Sequence, residues 1–170
     1  MNIENFIRDI QDFPKPGILF KDIAPLLNSP EATKSCLDQL VGLVKNQHID
    51  KVVGVESRGF FFATLIAQKL NAGFVPVRKP GKLPHTTISQ SYDLEYGTDT
   101  VEMHIDGIQK GDRVLMHDDV LATGGTAEAV CKLIERQGGI VVQCNFIMTL
   151  DFLNGKDKLQ GYDIASVLAY

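Results

Sequence analysis

Length, composition and charge narrow the class of protein before any motif is considered. The chain has 170 residues, enough for one domain with a sizeable core, and its 44% hydrophobic and 22% charged residues are typical of a globular protein. A formal charge of −4 provides no electrostatic footprint for nucleic acid or an anionic membrane, so an anionic ligand would need a local site.

Cysteine usage and hydropathy indicate the compartment. Cys36, Cys131 and Cys144 are far apart and odd in number, which suggests neither a disulfide framework nor a metal cluster, and we expect small core residues in a reducing environment. No apolar run approaches the ~18 residues of a membrane span, and the first residues lack the pattern of a secretion signal. We therefore expect a cytoplasmic protein.

Two helices are predicted near the start of the chain. Ile3, Ile7 and Ile10 have helical spacing and predict a short amphipathic helix at the N-terminus. Ser29 followed by Pro30 predicts the cap and first residue of a second helix.

Between these helices, residues 12–22 contain two prolines and a glycine and predict a rigid loop that carries Phe20. This side chain either packs into a core or stacks on a planar ligand ring. Stacking of that kind is worth roughly 1–3 kcal/mol per base in nucleic-acid sites.

A first strand-helix-strand unit is predicted over residues 51–55, 60–70 and 74–77. Its first turn, residues 56–59, places amides at a helix start, where Arg58 could bind a phosphate through two hydrogen bonds. An ion pair between Arg58 and the neighbouring glutamate is the alternative.

A second unit repeats this layout, with a strand over 114–117, a helix ending at Gln137 and a strand over 140–147. A last strand is predicted over 164–170. Strands that are apolar throughout predict a parallel sheet covered by helices on both faces, so the fold class is α/β.

The sequence between strand and helix in the second unit is the main functional signal. Asp118 and Asp119 are predicted just beyond the strand, and the segment Ala122–Ala127, called here the glycine loop, reads Ala-Thr-Gly-Gly-Thr-Ala. Glycines, threonine hydroxyls and helix-start amides suit a phosphate, whereas the two acids suit sugar hydroxyls or Mg²⁺. A tight strand-to-helix connection without a ligand is the alternative. The P-loop lysine and the dinucleotide-binding glycine pattern are both absent.

The segment 79–104 has two alternating flanks, 86–92 and 100–104, around a polar tip, which predicts a long β-hairpin. Its basic neck carries Arg78, Lys79 and Lys82. The hairpin is either a solvated arm or a lid over a polyanion that keeps water from a reactive centre.

Two adjacent acids followed by Thr-Gly-Gly-Thr resemble the signature of the type I phosphoribosyltransferases. Four further segments, in the same order, resemble those members of the family that use adenine: residues 12–22, 56–60, 77–84 and 92–97. The resemblance implies one domain over residues 1–170, with a mainly parallel sheet flanked by helices, an N-terminal hood over about 1–30 and a lid hairpin over about 79–104. It also implies a homodimer and a cis peptide bond near Glu56-Ser57.

The implied reaction transfers the phosphoribosyl group of phosphoribosyl pyrophosphate to adenine and yields AMP and pyrophosphate. Mg²⁺ would be held mainly through the pyrophosphate, with no sure protein ligand. By resemblance, Leu19, Phe20 and Lys21 line the adenine pocket; Arg58, Lys79 and Lys82 meet the pyrophosphate; Asp118 and Asp119 hold the ribose hydroxyls; and Ala122, Thr123, Gly124, Gly125, Thr126 and Ala127 hold the 5′-phosphate.

Two positions bear on the base and its chemistry. Glu95 resembles a residue proposed in the family as a general acid/base, and ordering of the lid is its alternative role. Members that use hypoxanthine or guanine usually have an aspartate where Ala122 stands, which favours adenine here. A phosphoribosyltransferase for another base and a regulator that binds phosphoribosyl pyrophosphate remain as alternatives.

Overall fold

A computed structural model describes residues 1–94 and 96–170. The chain divides into two compact units, Met1–Gln39 and Leu40–Tyr170. In the part of the chain that the structure describes, no helix combines the length and the apolar character needed to cross a membrane.

The N-terminal unit begins with a 3₁₀ turn (Ile3–Phe6), followed by β1 (Arg8–Ile10), β2 (Phe20–Asp22), α1 (Ala24–Asn28) and α2 (Pro30–Leu43), whose last residues belong to the second unit. The prediction for α2 is confirmed, since the Ala32 amide donates to Ser29 Oγ at 3.3 Å.

The predicted N-terminal helix is wrong, because the segment after the 3₁₀ turn forms strand β1. β1 pairs antiparallel with β2, and two ion pairs join the strands, Arg8 to Asp22 at 2.5 Å and Lys21 to Asp9 at 2.7 Å. These cross-strand contacts outweigh the helical spacing of three isoleucines.

The second unit is built on a five-stranded sheet with all strands parallel, in the order β4-β3-β7-β8-β9. A separate antiparallel hairpin, β5-β6, follows β4. The elements are β3 (Lys51–Val55), α3 (Gly59–Leu70), β4 (Gly73–Val77), β5 (Thr87–Asp93), β6 (Thr98–His104), β7 (Arg113–Leu121), α4 (Gly125–Arg136), β8 (Ile140–Thr149) and β9 (Ile164–Ala169), with short 3₁₀ helices at Asp151–Leu153 and Gly155–Leu159.

The order of the strands creates a crevice between β3 and β7. The chain leaves β3 towards β4 and leaves β7 towards β8, in opposite directions, so right-handed crossovers place α3 and α4 on opposite faces of the sheet. In such sheets ligands bind beyond the carboxyl ends of the two strands where the direction reverses.

Strand β7 is longer than predicted, and the two aspartates lie within it. Asp118 pairs with Phe146 and Leu121 with Thr149 of β8, so the ladder continues past the acids. The expectation that both acids follow the end of the strand is therefore wrong. Their carboxyls are shielded from solvent, because Asp119 is buried and Asp118 half-buried.

The main core lies between the sheet, α4 and the hairpin. It contains Val53 and Met116 from the sheet, Leu133 from α4, and Met103 from β6, all fully buried. The three cysteines are free and buried, as expected for core residues.

A chain of buried polar side chains interrupts the apolar strands, contrary to the expectation that they are apolar throughout. His117 Nδ1 lies 2.9 Å from Asn145 Oδ1, and the Asn145 amide donates to Leu40 O at 3.2 Å and to Gln143 Oε1 at 3.1 Å. Gln143 in turn donates to Leu43 O at 3.0 Å. These bonds join β7 and β8 to the end of α2. None of them connects His117 to the side chain of Asp118 or Asp119.

Candidate active site

A cavity of about 380 Å³ opens at the carboxyl ends of β3 and β7. It is lined by both predicted turns, the one after β3 and the one after β7, so the two segments expected to bind anions face one space. The predicted site residues that line it are Arg58, Lys79, Asp118, Asp119, Ala122, Thr123, Gly124, Thr126 and Ala127. Of the described residues that were predicted to bind the pyrophosphate or the 5′-phosphate, Lys82 and Gly125 are not part of this lining.

The glycine loop connects β7 to α4. Gly124 has φ +84°, a left-handed conformation that L side chains rarely adopt, and α4 begins at Gly125. The first amides of a helix have no partner within it, and the helix dipole adds positive potential at the same end. This geometry suits an anion at the loop.

The two acids and Arg58 form a compact charged group. Arg58 Nε lies 3.0 Å from Asp119 Oδ2, and the Asp119 amide donates to Asp118 Oδ1 at 2.9 Å. Burial and the neighbouring Asp119 charge raise the pKa of Asp118 well above its ordinary value. Burial also raises the pKa of Asp119, although the Arg58 guanidinium acts in the opposite direction.

Gly59 allows the start of α3 to approach these acids. A Cβ at this position would lie 2.8 Å from Asp118 Oδ1 and 3.2 Å from His117 O. Gly59 was not predicted as a site residue, although its place at the end of Glu-Ser-Arg-Gly was a usable signal.

Glu56 organises the neck of the hairpin. Its carboxylate accepts from Arg78 Nε at 3.3 Å and from the Lys79 amide at 2.8 Å, and it forms an ion pair with Lys82. Burial would raise the pKa of Glu56, but these hydrogen bonds outweigh burial and lower it. The sequence left an ion pair between Glu56 and Arg58 as an alternative, whereas the structure pairs Glu56 with the hairpin bases.

A hydroxyl at the base of the hairpin joins several of these groups. Tyr92 OH accepts from Thr126 Oγ1 at 3.0 Å and from Lys79 Nζ at 3.2 Å, and it donates to Asp99 Oδ2 at 3.1 Å. Lys79 also forms an ion pair with Asp99. Burial opposes the charge on Lys79, but the bonds to Asp99 and Tyr92 raise its pKa.

Neither Tyr92 nor Asp99 was predicted as a site residue, because their positions in a polar, alternating hairpin give no sign of a contact with a distant loop.

The residues predicted for adenine lie in the N-terminal unit. Phe20 is half-buried, and its ring packs edge-on against Phe13 with centroids 5.1 Å apart. Leu19 is 39% exposed, and Lys21 forms the ion pair with Asp9. Glu95, the predicted acid/base, lies outside the described residues.

Comparison with known proteins identifies the family of this chain. Residues 23–163 match the model of the phosphoribosyl transferase domain. An adenine phosphoribosyltransferase of Flavobacterium johnsoniae is 67% identical over 170 residues, which is all of both chains. The chain belongs to the adenine phosphoribosyltransferase family.

Solved structures of the family have the same fold. A crystal structure of adenine phosphoribosyltransferase from Rhodothermus marinus is 53% identical and superposes with a TM-score of 0.95, covering 99% of this chain and 96% of that one. The Saccharomyces cerevisiae adenine phosphoribosyltransferase, crystallised with an imino-altritol bisphosphate and adenine, is 37% identical, with a TM-score of 0.91 and coverage of 96% and 95%.

One further feature implied by the family resemblance is present, since the Glu56–Ser57 peptide bond is cis.

Proposed function

We propose that the chain transfers the phosphoribosyl group of phosphoribosyl pyrophosphate to adenine, a purine salvage reaction that releases pyrophosphate and forms AMP. The observation that carries this proposal is the single cavity lined by two anion-suited turns and two aspartates, in a chain that belongs to the adenine phosphoribosyltransferase family.

The glycine loop is proposed to hold the 5′-phosphate through its backbone amides and the hydroxyls of Thr123 and Thr126. Beside it, Asp118 and Asp119 would bind the ribose hydroxyls. Both acids lie in the lining of the same cavity as the glycine loop, at hydrogen-bonding reach of a ligand held there, which supports this role.

Arg58, Lys79 and Lys82 are proposed to meet the pyrophosphate. The anomeric carbon becomes cation-like as this group departs, so catalysis depends on neutralising the leaving charge and on holding the base nitrogen in line. Each of the three cations is near a carboxylate of the chain, namely Asp119, Asp99 and Glu56, and would exchange that partner for the substrate.

Mg²⁺ is proposed to bind mainly through the pyrophosphate. Oxygen atoms of Asp118 and Asp119 suit a hard cation, but among residues 1–94 and 96–170 no group of three or more acidic, histidine or cysteine side chains could hold a metal ion. When bound, the cation would supply charge neutralisation at the leaving group.

For the base, we propose a pocket lined by Leu19, Phe20 and Lys21, with Phe20 stacking on the purine. Its partial exposure supports this role. The N-terminal unit would act as a hood and residues 79–104 as a lid that excludes water from the reactive sugar. Glu95 is proposed either to exchange a proton with the purine or to order the lid.

We further propose a homodimer in the cytoplasm. Phe61 and Leu65, one turn apart on α3, are 47% and 38% exposed and would offer an apolar surface to a second copy. Three free thiols support a reducing compartment. Light scattering at several protein concentrations measures the oligomeric state.

Product formation with separate bases tests the proposal. Phosphoribosyl pyrophosphate and Mg²⁺ are supplied with adenine, hypoxanthine, guanine, xanthine or orotate, and we expect AMP from adenine and little product from the others. Preference for an oxopurine would contradict the argument from Ala122 and leave the reaction class intact. Binding of phosphoribosyl pyrophosphate without turnover of any base would support the regulator instead.

A further inference from the structure

The back of the glycine loop rests directly on another backbone segment. A Cβ added at Gly155 would lie 2.1 Å from Ala122 O and 3.1 Å from Gly124 N. From the opposite side, a Cβ at Gly124 would lie 2.3 Å from Gly155 O. Main chain therefore packs against main chain, with no room for even a methyl group between the two segments.

Gly155 is required for space and not for its conformation. Its φ lies outside the left-handed range, whereas the preceding Asn154 has φ 53°. An alanine could adopt the backbone geometry of residue 155, so any penalty arises from the contact with the loop alone.

The segment that carries Gly155 is firmly anchored. Gly155 is buried and starts the 3₁₀ helix that ends at Leu159, and the Leu159 side chain is fully buried in the main core. Closely packed interiors transmit displacement instead of absorbing it. An atom inserted at residue 155 is therefore expected to move the Ala122 carbonyl and, with it, the amides of the glycine loop.

We propose that Gly155 is a positioning residue that sets the shape of the glycine loop for the 5′-phosphate. Gly155 itself does not line the cavity between the two turns, so it acts through Ala122 and Gly124. This inference rests on the proposed function for the identity of the anion.

The variant Gly155→Ala tests the role of Gly155 in positioning the glycine loop. Ribose 5-phosphate and inorganic pyrophosphate are titrated separately by calorimetry. We expect the Kd of ribose 5-phosphate and the KM of phosphoribosyl pyrophosphate to rise about tenfold, because a misplaced loop loses aligned hydrogen bonds. The Kd of pyrophosphate should change less than about twofold, since Arg58 and Lys79 follow other strands. A merely destabilised fold would weaken both probes together, and that result would overturn the proposal.

Gly42→Ala is the matched control, because Gly42 is exposed in α2 and a Cβ there meets nothing within 4 Å. We expect wild-type affinity for both probes. An equal loss of ribose 5-phosphate binding in this control would overturn the assignment to Gly155.

Leu159→Val keeps the test decisive if Gly155→Ala does not fold. Trimming this anchor loosens the segment without inserting an atom, and we expect a smaller rise in the Kd of ribose 5-phosphate, about threefold, with pyrophosphate binding retained. Unchanged ribose 5-phosphate binding in a folded Leu159→Val would contradict the proposal.

The same probes separate this inference from the proposed function. Wild-type chain that binds ribose 5-phosphate but makes no AMP would refute the function and leave the role of Gly155 open to the same titrations. Wild-type chain that fails to bind ribose 5-phosphate would overturn both the role of the loop and that of Gly155.

Discussion

His117 provides a quantitative test, because it is an ionisable side chain buried in the sheet. Burial lowers its pKa from 6.5 to about 4, and the hydrogen bonds with Asn145 only partly oppose this. The Asn145 amide nitrogen donates to Leu40 O and Gln143 Oε1, so we assign Oδ1 as the acceptor of a proton on His117 Nδ1. Within the described residues, His117 Nε2 has no hydrogen-bond partner. A second proton at Nε2 would therefore be buried without an acceptor.

The sign of the pH dependence follows from this lowered pKa. Between pH 6.5 and 4 the unfolded chain binds more protons at residue 117 than the folded chain, so the free energy of unfolding falls as the pH falls through this window. From pH 7.5 to pH 5.0 the loss is about 2 kcal/mol. That is a sizeable part of the 5–15 kcal/mol that is typical of a domain.

Urea unfolding of wild type and His117→Leu at several pH values between 7.5 and 5.0 measures the effect. The variant leaves Asn145 Oδ1 without a donor, which costs about 1–3 kcal/mol at every pH. The variant cannot be protonated at residue 117. Its deficit in the free energy of unfolding relative to wild type should therefore be about 2 kcal/mol smaller at pH 5.0 than at pH 7.5.

A deficit that stays constant with pH would refute the argument. His85→Leu is the control, because it replaces an exposed ring of the hairpin region. If its free energy of unfolding relative to wild type changed with pH as much as that of His117→Leu, burial of His117 would not be the cause of the effect.

Two other substitutions probe the site and its support. Tyr92→Phe removes the hydroxyl that is hydrogen-bonded to Thr126, Lys79 and Asp99. In steady-state kinetics this variant should raise the KM of phosphoribosyl pyrophosphate about 3- to 10-fold with kcat little changed. An unchanged KM would show that the hydroxyl does not position the groups that bind the substrate. Gly54→Ala places a Cβ 2.7 Å from both Ala63 Cβ and Phe74 Cε2. In urea unfolding this variant should lower the free energy of unfolding by about 1–3 kcal/mol. A loss below about 0.5 kcal/mol would mean that α3 shifts at little cost.

Local pattern predicted the strands of the parallel sheet well, because each of them contains an apolar run that is visible in the sequence. Strand β3 has the predicted bounds, Lys51–Val55, and the turns after β3 and β7 meet in one cavity. This meeting follows from parallel strands ending at one edge, which is a property of the fold and not of any single contact.

Features that depend on partners distant in sequence could not be predicted. β1 forms because Arg8 and Asp9 meet residues of β2, against the local helical spacing. The pair Asn154-Gly155 is typical of a turn in which the glycine adopts a left-handed backbone conformation. In the structure Asn154 is the left-handed residue, and the glycine is needed because its backbone packs against Ala122. No local rule contains that contact.

On the proposed function, the ion pairs of the site give an acidic chain a means of binding a polyanion selectively. Arg58 and Lys79 of the cavity and Lys82 of the hairpin neck are near Asp119, Asp99 and Glu56, so these three cations present little unbalanced positive charge. A pyrophosphate bound there as proposed would replace those carboxylates. Its binding free energy would then be the difference between two sets of charge-assisted hydrogen bonds, not the full strength of either. A ligand with a single weak charge gains too little to displace them, whereas a pyrophosphate that engages several cations at once can. These acids would therefore lower the affinity for simple anions and favour a ligand that engages several of the cations together.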